Sequence, residues 1–207
     1  MKKFELTSET KINIFGKKLF RIKALISFGN VEAGETGGWV EKEENVNQSG
    51  DAWVSGNAMV YGNAEVSGNA RVSGNARVSG DAWVSGNARV SGNAEVSGDA
   101  MVSGNAEVSG NAEVYGNAEV YGNAEVYGNA EVSGNADYTT IRGFGTQFRT
   151  TTFFRCKDKQ VKVSCGCFYG TIPEFREQVK NTRKGKIAEE YLMIADLMEK
   201  HFAEEAK

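Results

Sequence analysis

Between residues 51 and 134 the apolar and polar positions follow one six-residue phrase, (N/D)-A-x-V-(S/Y)-G, which runs without a slip through fourteen copies (84/6). Ala and Val stand two apart, so in an extended chain they point to the same side, and the variable residue x points to the other. Gly followed by Asn or Asp tolerates positive φ, which a sharp corner needs. Each copy therefore predicts one short strand and one corner. "NVNQSG" (45–50) and "NADYTT" (135–140) are degraded copies at either end. Before the repeats, "KINIF" and "KLFRIKALISF" flank Gly16-Lys17 and predict a hairpin. After them, "QFRTTTFFRC" and "VKVSCGCFY" predict a second hairpin. Its alternation sets Phe148, Phe154 and Cys156 on one side, and Val161, Val163, Cys165 and Cys167 on the matching side. "TIPE" (171–174) is a capping box that opens a helix to about Asn181. Ile187, Tyr191, Ile194, Met198 and Phe202 then recur at helical spacing and predict a second helix with one apolar stripe.

A strand this short cannot bury its Ala/Val side alone, so the copies must stack. Three corners close a triangular coil of eighteen residues, with Ala and Val inside and x outside. Fourteen copies give 14/3, a little under five coils, or about 22 Å of prism at the usual strand spacing. Outward residues eighteen apart then form columns. The first reads Trp53, Arg71, Arg89, Glu107, Glu125. The second reads Met59, Arg77, Glu95, Glu113, Glu131, and the third Glu65, Trp83, Met101, Glu119, Asp137. Apolar and basic residues come early in each column and carboxylates late. The expected organisation is an N-terminal β cap (1–44), a repeat β-helix (45–140) and a C-terminal β-hairpin with two helices (141–207).

The run Val54-Ser55-Gly56-Asn57-Ala58-Met59, an aliphatic residue followed four positions later by a small one, resembles the hexapeptide-repeat, left-handed parallel β-helix family. The stretch "GGWVEKEENVNQSGDAWV" resembles uncharacterised acyltransferase-like repeat proteins of bacteria and of phage or prophage genomes. "TTTFFRCKDKQVKVSCGCFYGTIPEFREQVKN" is similar to a segment at the ends of repeat proteins from gut-bacterial phages. The resemblance implies a mainly β fold, a left-handed winding, a phage or prophage source and a homo-oligomer, dimer or trimer. It implies no activity.

Charge divides along the chain. Residues 51–137 carry seven Glu and four Asp against three Arg, a balance of −8, while residues 138–207 carry thirteen basic and nine acidic residues, +4. An acidic repeat region repels nucleic acid. No run of about 18 apolar residues exists and no apolar core follows the N-terminal lysines, so neither a membrane span nor a secretory signal is expected. Three cysteines make no disulfide framework, which fits a reducing cytoplasm, the host's if the chain is phage-borne. The C-x-C spacing lacks a zinc knuckle, and neither metal nor cofactor is expected.

Catalysis is not expected either. The one histidine, His201, stands on the last predicted helix, and no Ser/His/Asp set, phosphate loop or insertion interrupts the coils. The preferred reading is a rigid scaffold that engages a protein partner, such as a host defence factor that it inhibits. Its candidate contacts are Trp83 beside Met101, the carboxylates Glu107, Glu113, Glu119, Glu125 and Glu131, and a belt of Tyr115, Tyr121 and Tyr127. A nucleotide sponge between subunits is the alternative, using Arg71, Arg77 or Arg89 with Trp53, which also stands where a cation–π pair with Arg71 forms. An acyltransferase-like enzyme and a plain spacer remain open at this point. Ile187, Tyr191, Ile194, Met198 and Phe202 are candidates for packing on the hairpin or for joining subunits. The Tyr belt is expected to pack on the terminal module.

Overall fold

The computed structural model describes residues 2–203. Fourteen two-residue strands, from β4 (Trp53–Val54) to β17 (Glu131–Val132), wind as a three-sided parallel β-solenoid of about five coils. Each strand pairs with the one three repeats away, so Glu65 lies beside Trp83, Trp83 beside Met101 and Met101 beside Glu119. The eighteen-residue offset holds on all three faces. Every repeat Ala and Val from Ala52 to Val132 is at most 1 % exposed, which leaves a dry lumen of small side chains. Corner glycines from Gly50 to Gly128 adopt φ of +63 to +72°, and from Gly50 to Gly110 a Cβ would meet the backbone of the glycine in the next coil. Asn side chains at the corners bond one another eighteen apart, as Asn75 to Asn93 (3.1 Å) and Asn93 to Asn111 (3.0 Å).

The N-terminal hairpin is longer than its apolar segments suggest. β1 (Phe4–Ile12) includes the polar run before Lys11, and β2 (Lys18–Ala24) returns from a turn at Asn13–Lys17. β2 pairs antiparallel with β3 (Thr36–Val40), and β3 pairs parallel with Met59-Val60. The hairpin therefore prolongs the second face into an eight-stranded sheet. Its inner side sends Phe4, Ile22 and Ala24 over the open lumen. Gly37 and Gly38 allow this joint, because a Cβ on either would lie within 3 Å of Ile22, Trp53, Val54 or Ala58. On the outer side Leu19, Trp39 and Tyr61 form a small core that also covers Met59. Lys3 is drawn into the cap, its ammonium donating to the carbonyls of Gly50 (3.2 Å) and Ala52 (2.9 Å). Burial pulls its pKa down to about 8.

At the other end the chain leaves the solenoid after Gly134. A four-stranded antiparallel sheet follows: β18 (Tyr138–Phe144), β19 (Arg149–Arg155), β20 (Val161–Cys165) and β21 (Phe168–Thr171). The predicted hairpin is thus half of a larger sheet, because β18 begins inside what reads as a degraded repeat. Phe154, with Tyr138 and Cys156, closes the lumen, while Phe153 one residue earlier faces the helices α1 (Ile172–Thr182) and α2 (Gly185–His201). Thr171 and Glu174 form the predicted capping box. Tyr191, Ile194, Met198 and Phe202 are buried in this module, with Ile187 packed against them. The stripe considered for joining subunits is consequently consumed inside one chain, and the exposed apolar residues of α2 are Met193 and Leu197. Two further expectations of alternation fail. Phe148 is exposed at the β18–β19 turn with φ of +49°, and Cys167 is exposed in the β20–β21 turn. Neither segment continues the pleat at those points. No helix among the described residues is long and apolar enough to cross a membrane.

Candidate interaction faces

The three outer faces differ in what covers them. The first starts with Trp53, which is only 2 % exposed and takes the edges of Phe4 (6.2 Å) and Phe28 (5.5 Å). Trp53 therefore offers no surface to a base, and the cation–π pair expected with Arg71 is replaced by aromatic packing beneath the cap. The guanidinium of Arg71 instead lies beside Asp51 and Gly29. Arg89 faces Glu107 at 3.9 Å, both well exposed. Glu125 accepts from the Ser164 hydroxyl (2.7 Å), and its backbone N–H donates to Thr152 (3.0 Å).

The second face is similarly occupied. Arg77 pairs with Glu95 at 2.6 Å, and Glu113 pairs with Lys157 of the β19–β20 turn at 2.5 Å. Glu131 accepts from the Tyr115 hydroxyl (2.7 Å), a bond that also raises the Tyr115 pKa. Glu113, Glu125 and Glu131 thus help dock the basic terminal module or brace the last coil, and do not form a free acidic row. The Tyr belt divides likewise. Tyr127 lies 4.6 Å from Tyr169 and 6.1 Å from Phe154, as the packing expectation has it, while Tyr121 meets the edge of Tyr138 yet stays exposed.

The end segments meet the third face only at its outer strands, where Val46 bridges Val66 and the Tyr138 hydroxyl donates to the Glu119 carbonyl. From top to bottom it presents Glu65, Trp83, Met101 and Glu119. Trp83 is 45 % exposed, its indole N–H held by Ser67 at 3.0 Å, and Met101 is half-buried against it. Asp137, expected to end this column, turns back to accept from Ser133 and Gly134 and pairs with Arg155 at 3.4 Å. The corner leading into this face breaks its ladder. It reads Asn63, Asp81, Asp99, Asn117, and Asn63 donates to Asp81 (2.9 Å), but two ionised carboxylates in register cannot bond each other. Four carboxylates, Glu65, Asp81, Asp99 and Glu119, therefore border Trp83 and Met101, and no Lys or Arg is an outward residue of these strands. The two aspartates were the signal that reading the x column alone had missed.

Elsewhere the chemistry is sparse. Cys156 is buried, and desolvation lifts its thiol to about 11, so it is neither a ready nucleophile nor a ready metal ligand. His201 is exposed on the last turn of α2, its ring edge against Phe202.

Winding, register and lumen together define a parallel β-solenoid repeat protein. The family described as YdcK β-solenoid repeat matches the chain at residues 52–68, 64–80 and 70–86, within the first coils of that solenoid. No curated protein shows significant similarity to the chain.

Proposed function

We propose that the solenoid is a non-catalytic scaffold that binds a protein through its third face, with Trp83 and Met101 as the apolar centre and Glu65, Asp81, Asp99 and Glu119 as an anionic border. The observation that carries this reading is Trp83, a large apolar side chain kept in water midway along the third face. Trp is a frequent anchor of interfaces, and a surrounding ring of like charge selects a cationic partner and speeds its encounter. The stacked aspartates support it further, since like charges in register disfavour folding by about 0.2–1 kcal/mol. In keeping with the resemblance to phage and prophage repeat proteins, the partner under this proposal is a bacterial protein that the scaffold occupies and blocks. Catalysis plays no part in this reading. The single histidine sits on the terminal helix, away from the repeats, and the solenoid strands carry none.

Affinity capture from bacterial lysate with the wild type and two variants tests this. Trp83→Ala and the pair Asp81→Asn/Asp99→Asn are expected to fold as the wild type does, because all three side chains are exposed. Both should lose a basic protein that the wild type retains, by ten-fold or more for Trp83→Ala, and added salt should release it. Retention unchanged in both variants would refute the reading.

A further inference from the structure

The terminal module contains a cavity of about 670 Å³ that the solenoid does not touch. It opens between the β18–β19 turn, the β20–β21 turn, the end of α1 and the start of α2. Its floor is apolar and aromatic: Phe168 and Phe175, whose rings lie 5.4 Å apart, and Tyr191 edge-on to Phe175 at 5.8 Å. Its rim is cationic. Arg149, Arg183 and Lys184 line it, no carboxylate does, and among the described residues none of the three forms an ion pair. Elsewhere in the module Arg155, Lys157 and Arg176 are each matched to a carboxylate, whereas Arg142, Lys159, Lys162 and Lys200, which lie outside the cavity, form no ion pair among the described residues.

We infer that this cavity binds a small phosphomonoester with a planar or apolar body, of the size of a mononucleotide. Four features assign that chemistry. The volume falls in the range of small-molecule sites, which are mostly apolar with a few convergent polar groups. Two arginines present planar forks that match phosphate oxygens in pairs, and Lys184 adds a point charge. The first turn of α2 borders the cavity at Ile187 and receives no side-chain cap, and an uncapped helix start favours an anion. Gln178 and Asn181 on the last turns of α1 supply amides that donate and accept, suited to the edge of a base or ring. This site shares no residue with the third face of the solenoid, nor with Arg71, Arg77 and Arg89.

Isothermal titration of the full chain with phenyl phosphate, AMP and CMP, with inorganic phosphate as the bare anion, tests the assignment. At least one phosphomonoester is expected to bind ten-fold or more tightly than inorganic phosphate. Arg149→Gln/Arg183→Gln should weaken that binding at least ten-fold, Lys184→Gln should weaken it less, and Arg77→Gln on the solenoid should leave it unchanged. All these side chains but that of Arg77 are exposed, and an unfolding curve matching the wild type confirms that each variant is folded. The inference is overturned if no phosphomonoester binds at millimolar concentration, or if inorganic phosphate binds as well as the esters. It is equally overturned if the double variant retains full affinity.

Discussion

Val90→Asp is expected to unfold the solenoid at temperatures the wild type withstands, with a loss of about 4 kcal/mol or more. Val90 lies in the lumen between Val72 and Val108, fully buried, with only Ala and Val side chains for company. A carboxylate there finds no donor, and even protonated it leaves polar atoms unpaired among methyl groups. The adjacent Arg89 provides the contrast. Its side chain is outside, and Arg89→Asp exchanges one exposed charge for another beside Glu107, a change of about 1 kcal/mol or less. Two neighbouring residues should therefore differ several-fold in effect, as chemical denaturation of both variants will measure. Equal losses would mean that the lumen is not the dry core described.

Gly86→Ala comes next in expected size. Gly86 sits at φ of +65°, and a Cβ there would come within 2.9 Å of both the N and O atoms of Gly104 one coil below. That same carbonyl accepts from the Asn87 N–H at 2.7 Å, so spreading the coils to admit the methyl group also strains this hydrogen bond. Left-handed backbone disfavours Ala by about 1–2 kcal/mol, and the strained contact and bond add about 1–2 more. Gly122 separates the two contributions. It has φ of +71°, but a Cβ there would meet nothing within 4 Å, since the chain has left the solenoid below it. Gly122→Ala is thus expected to cost about 1–2 kcal/mol, the conformational part alone. Thermal unfolding of the pair should place Gly86→Ala clearly lower, and a reversed order would show that the corners do not stack glycine over glycine.

Much of the solenoid was legible because its period is unbroken. Six residues per strand and three strands per coil follow from where Ala, Val and Gly recur, and the neighbours Glu65, Trp83, Met101 and Glu119 follow in turn. What lay beyond the repeats was less accessible. Trp53 carries the same letter position as Trp83, yet one is buried and the other exposed. The difference is made by Phe4 and Phe28, some 49 and 25 residues earlier, which no local pattern connects to it. Glu113 and Glu125 read as members of an acidic row because their partners Lys157 and Ser164 arrive from 44 and 39 residues downstream. Asp137 looked like a fifteenth strand residue, but without a following Val its carboxylate closes a turn. The stripe on α2 showed that an apolar face exists without showing what it meets. The cavity in the terminal module has three separate segments for walls, so no single stretch of sequence displays it.

The account depends on eighteen residues making one coil. Nitroxide labels on paired cysteines test this most directly, in a Cys165→Ser/Cys167→Ser background that removes the two less buried native thiols. Labels at Arg71 and Arg89 are eighteen apart and in register on adjacent strands, ~5 Å from each other by strand spacing. Labels at Arg71 and Glu95 are twenty-four apart and on different faces. Strong spin–spin broadening is expected for the first pair and none comparable for the second. Broadening in the second pair and its absence in the first would contradict a three-sided coil, and with it the face built around Trp83.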